Sequence, residues 1–103
     1  MWLWLGKINL VQKGNTMNDL EIWGEYDLAE SALLILISYY SEIIDEEEGK
    51  TLPDVQKIAE WEREKRSLRT LMHGLDVQDQ ATIANIKATY GPAARAALQG
   101  HKP

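Results

Sequence analysis

The sequence predicts an all-α fold, a small helical bundle built on a long antiparallel αα-hairpin plus two short C-terminal helices. Three observations carry that expectation. The longest apolar run, Ala32–Ile37, is flanked by Glu30 and Glu42 and sits inside a longer helical pattern. Capping residues stand ahead of the apolar segments and glycines stand behind them. The link Gly49-Lys50-Thr51 between the two long patterns is short, which sets neighbouring helices antiparallel.

The first helix is well marked at its start. Asp27 can accept from the exposed amides of a first turn, and Glu30 follows three positions on, an acidic variant of the capping box. Asn18 with Glu21 offers a second, earlier start, but Gly24 weakens a continuous helix through it. The helix ends at Gly49, after Asp45-Glu46-Glu47-Glu48. Four acids there oppose the helix dipole, which prefers cations at that end. Such a placement needs solvent, a neighbouring base, or a function.

In the second helix Thr51 can cap, Pro53 fits a first turn, and Asp54 suits the positive end. Its apolar positions run through Val55, Ile58, Trp61, Leu68, Leu71 and Met72 to Gly74, placing the hairpin at about residues 27–48 and 52–73. A third helix is expected from an Asp76 cap through Ile83, Ala84 and Ile86 to Tyr90. Gly91-Pro92 should stop it and start a fourth, Ala93 to Gln99, closed by Gly100. The domain spans residues 17–100, and His101-Lys102-Pro103 reads as a frayed tail.

Residues 1–16 stand apart. They contain no acid, whereas all 16 acids lie beyond them. The codons for Lys13-Gly14 form a purine run of the ribosome-binding kind just ahead of Met17. The segment therefore reads as translated leader with Met17 as the natural start, in a bacterial or phage gene. The competing reading is a small hairpin, Trp2–Leu5 and Ile8–Val11 turning at Gly6-Lys7.

Composition narrows the function. A chain of 103 residues supports one modest core. Without cysteine there is neither a disulfide framework nor a thiolate zinc site. The apolar run is too short to span a membrane and no secretory signal is evident, so the expected compartment is the cytoplasm. A net charge of -5 argues against coating DNA or anionic lipid. That charge is unevenly spread. Met17–Gly49 holds ten acids and no base, whereas Lys50–Pro103 holds six acids and nine bases. Runs such as Asp45–Glu48 are commonly just solvated, pairing loosely with a base such as Lys50 or Arg69. The functional alternative is an acidic surface that meets a basic partner.

Apolar residues surround nearly the whole of the first helix, from Leu28 to Ile44. A helix apolar all round should be buried all round, and short alanine-rich neighbours cannot cover it. The expectation is a homodimer or a protein partner over the uncovered part. Tyr39 and Tyr40 cannot both face one core stripe, so one is a candidate interface anchor. The expected partner-binding residues are Asp45, Glu46, Glu47, Glu48, Leu36, Tyr39 and Tyr40, in a small regulator or inhibitor needing no cofactor.

Two other functions have some support. Glu42 with Asp45 or Glu46, and Glu60 with Glu64, pair carboxylates at helical spacing, as Mg²⁺ sites do. Glu42-Ile43-Ile44-Asp45 loosely resembles the ExxD of the all-α nucleoside triphosphate pyrophosphohydrolases, which would imply Mg²⁺-dependent nucleotide hydrolysis. The accompanying ExxE and Gly-Asp are absent, and antiparallel pairing sets Glu42 against the start of the second helix. DNA binding is the other alternative. Arg63, Lys65, Arg66 and Arg69 cluster on the second helix, and a turn at Tyr90-Gly91-Pro92 gives a helix-turn-helix-like C-terminus carrying Arg95. Interposed Glu60, Glu62 and Glu64 neutralise much of that cluster, so nucleic acid is not the expected partner. His73 reads as a helix C-terminal cation, since no nucleophile pairs with it. No specific catalytic motif is present, and no enzyme activity is expected.

Overall fold

The structure, a computed structural model, describes residues 18–100. The leader and hairpin readings of residues 1–16 and the frayed tail lie outside them. Three helices and no strand are present among the described residues: α1 (Asp19–Glu48), α2 (Val55–His73) and α3 (Gln80–Leu98).

Helix α1 begins eight residues before Asp27. Asn18 is its N-cap, and the capping box is complete: the Glu21 amide donates to Asn18 Oδ1 at 2.8 Å, and the Asn18 amide donates to Glu21 Oε1 at 3.1 Å. Two satisfied end amides, together with the Glu25–Lys87 ion pair to α3, outweigh the helix penalty of Gly24. Asp27 is simply an exposed residue inside the helix.

Helix α2 is capped by Asp54 rather than Thr51, its side chain accepting from the Lys57 amide at 3.1 Å, so Pro53 stays outside. Asp79, not Asp76, caps the next helix, accepting from the Thr82 amide at 3.1 Å and its hydroxyl at 2.7 Å. Asp76 closes the preceding turn instead, accepting from the Gln78 amide at 2.9 Å.

The two expected C-terminal helices are one. α3 runs unbroken through Gly91 and Pro92 to Leu98. Ile83, Ile86, Tyr90, Ala94 and Ala97 recur at helical spacing and pack into the core. Pro92 lies on the exposed outer side, as does Ala88, whose carbonyl loses its amide partner to the ring and can meet water there. Burial of one continuous face holds the helix together across the proline.

α1 packs against both α2 and α3, whereas α2 and α3 have no close backbone approach to each other. Glu47, near the end of α1, bonds Asp54 at the start of α2, and the charge of Glu64 reaches Tyr40. This is consistent with the expected antiparallel hairpin. Along α3, Lys87 meets Glu25 while Leu98 lies beside Leu34 and Glu42, so these contacts advance in the same direction on both helices. The core is thus centred on α1. Leu33, Leu68, Ile83 and Ile86 are fully buried, joined by Ala29, Ala32, Leu36, Ile37 and Ala94.

Candidate partner-binding site

The acidic end of α1 does not behave as four equivalent charges. Buried or half-buried residues recur at 33, 37, 40 and 44 along α1, and the next step of that spacing is Glu47. Its side chain is only 9% exposed. One oxygen accepts from Lys50 Nζ at 2.9 Å and the other from the Asp54 amide at 2.9 Å. The hydrogen bond from Lys50, then that from the Asp54 amide, hold the Glu47 carboxyl below its ordinary range. The same Glu47 bond holds the Lys50 ammonium above its ordinary range. Glu47 therefore ties the end of α1 to the start of α2. Continuing the apolar phase by one step would have separated it from its neighbours.

Asp45, Glu46 and Glu48 are exposed, with no base in the last turn of their own helix. Beside them a cleft of ≈ 370 Å³ opens between α1 and α2, walled by Tyr39, Tyr40, Ile43 and Trp61 and edged by Glu46, Glu47, Lys50 and Lys57. The two tyrosine rings meet edge to face, centroids 5.7 Å apart at 73°. Tyr40 leans on the core, and burial, then the Glu64 charge, then Tyr39 raise its phenol above the ordinary value. Tyr39 stays outside that core and also lines a groove on the α3 side, making it the freer of the pair. Trp61 and Lys57 were not expected here; the packing of α2 on α1 brings them.

Leu36 does not belong to the surface. It is 3% exposed, closed in by α2 and α3, so it is a core residue and cannot contact a partner. The uncovered apolar residues of α1 are Leu20, Trp23, Leu28 and Leu34. Trp23 is half exposed, its ring meeting Tyr26 edge to face at 5.6 Å.

The basic residues are not assembled into one surface. Arg63, Arg66 and Arg69 are exposed along α2, whereas Arg95 is on α3, beside Leu28 and Leu98. The continuity of α3 removes the helix-turn-helix. Arg69, near the far end of α2, makes no ion pair with Asp45–Glu48; Lys50 supplies the base there. Glu42 opens toward Ser38 and Leu98 on the α3 side, away from Glu60 and Glu64. Among the described residues no group of three His, Asp or Glu side chains could hold a metal ion. None of the described helices is long and apolar enough to cross a membrane. The chain matches no protein-family model, no curated protein and no solved structure.

Proposed function

We propose that the protein works by protein–protein contact, as a small regulator or inhibitor that binds a basic partner at the α1–α2 turn. The observation that supports this reading is the aromatic cleft at the acidic end of α1. Tyr39 and Trp61 offer rigid apolar area with Glu46 at its edge, and exposed Asp45 and Glu48 add acid at the same end of α1. Complementary charge would speed encounter, and a desolvated aromatic contact would slow release.

The test is co-purification from the native host with the natural chain and with Asp45→Lys, Glu46→Lys and Glu48→Lys combined. A partner retained by the natural chain, eluted by salt and lost with the triple variant is the expected result. Equal retention by both chains overturns the reading. Self-association is a second reading, favoured by the exposure of Leu28 and Leu34 on α1. A dimer mass in solution would support it, and a monomer mass at high concentration would remove it.

A further inference from the structure

The groove between α1 and α3 carries opposite charge at its two ends. Two hollows of ≈ 240 Å³ and ≈ 420 Å³ share Ile35 and Leu98 and so form one groove. The hollow toward the start of α1 is lined by Leu28, Lys87 and Arg95, and the one toward its end by Leu34, Tyr39 and Glu42. Lys87 is answered within the chain by Glu25. Arg95 and Glu42 are exposed and make no ion pair with any described residue. Asp27 and Glu30 line neither hollow. Between the two unpaired charges the surface is apolar and open: Leu28 is 56% exposed, Leu34 46% and Leu98 70%.

The groove cannot neutralise itself. A Cβ built on Gly91 would stand 3.6 Å from Arg95 Nη1, so the guanidinium lies a turn back along α3, away from Leu98 and Glu42. It shares its hollow with Leu28. Leu28 and Glu42 are fourteen residues apart in one helix, roughly 21 Å, too far for a direct ion pair. They also stand seven residues on either side of Ile35, where the two hollows meet. Turning a second copy end for end about Ile35 therefore brings its Glu42 to the level of Leu28, where Arg95 lies. Leu34 and Leu98 then sit near the axis and meet their own counterparts. The same reversal sets α3, which has two bases and no acid, against the acidic end of the other α1. A surface that complements itself under reversal is what a twofold interface requires.

We propose that two copies of this chain pair end for end through the α1–α3 groove, with Arg95 of each facing Glu42 of the other. The proposal rests on the self-association reading and gives it a face and a register. The exposed leucines supply the buried area, and the crossed ion pairs fix the orientation.

The test is sedimentation of the full 103-residue chain over a concentration series, with three variants at exposed positions. The natural chain should pass from monomer to dimer. Arg95→Glu and Glu42→Arg should each weaken the dimer by about tenfold or more, since each sets like charges together at both ends. An equimolar mixture of these two variants should recover the natural association, because both pairs are again opposite in the mixed dimer. Leu98→Glu should abolish association while the circular dichroism melt keeps its helical amplitude. A dimer that all three variants leave unchanged overturns this face, while self-association itself still stands. A mixture no stronger than its components overturns the end-for-end register. A monomer at every concentration removes the proposal and the self-association reading together, and leaves the groove to another occupant.

Discussion

Glu47 stands third in a run of four acids, and only its helical phase separates it from Asp45, Glu46 and Glu48. Charge density is visible in a sequence, and continuing the apolar phase shows which member turns inward, but what that member bonds depends on where α2 begins. There the Asp54 amide and the Lys50 ammonium each donate to it at 2.9 Å. The consequence is a specific acid sensitivity. A carboxyl held below the ordinary 4.5 contributes stability that is fully present above that pH. It is lost as pH falls through the depressed folded value. The natural chain should therefore lose melting temperature on acidification below about pH 4.5, and Glu47→Gln should lose less over the same interval. Identical slopes for the two chains would show that the tie to Lys50 and Asp54 contributes nothing. At the alkaline end the sign reverses. Tyr40 and Lys50 both have raised folded values, so their contributions hold below their ordinary values and fade as pH rises through the folded ones. Tyr40→Phe should flatten part of that alkaline loss in a thermal melt.

Two helix ends show how far local signals reach. The stops at Gly49 and Gly74 were legible, because the apolar phase ends there and a glycine follows. The start of α1 and the unity of α3 were not, since each turns on tertiary packing overriding a local penalty. Gly24 weakens α1 by its missing side chain alone, and a Cβ built there meets nothing within 4 Å. Gly24→Ala should therefore stabilise by about 1 kcal/mol, read from the urea midpoint at unchanged slope. Pro92 is different in kind, as it removes an amide and crowds the preceding carbonyl. Pro92→Ala should stabilise α3 by as much as about 3 kcal/mol, less whatever the relaxed turn has already recovered. No gain in either midpoint would mean that the neighbouring backbone has adapted to these residues. The acids at the other end of α1 follow the same logic. Glu48→Lys should stabilise the isolated protein by roughly 0.3–1 kcal/mol through the helix dipole while weakening the proposed partner contact. A stability gain paired with lost binding is what separates a functional acid from one that is merely tolerated.

At the scale of the molecule, both outer helices make their close backbone approaches to α1 and none to one another. A three-helix bundle normally closes a triangle of close backbone approaches, but here the α2–α3 side is open and only the shared core lies between them. The arrangement follows from the breadth of apolar surface on α1, which the sequence displayed, whereas the identity of the covering helices depended on the course of α3. The supports are unequal. α3 contributes Ile83, Ile86 and Ala94 to the interior and the Lys87–Glu25 pair, whereas Leu68 is the only fully enclosed side chain of α2. Removing Leu68 should therefore act on one element rather than on the whole. Leu68→Ala should cost about 2–5 kcal/mol, the range for a large buried aliphatic truncated where its surroundings cannot fully close. In native-state hydrogen exchange the α2 amides should lose protection first, while those of α3 and of the α1 face against it keep theirs. The variant also separates packing from the Glu47 tie, since the α1–α2 turn retains its hydrogen bonds and should outlast the middle of α2. Uniform loss of protection across all three helices would show that the molecule unfolds as a single unit, with coupling between α2 and α3 carried entirely through α1.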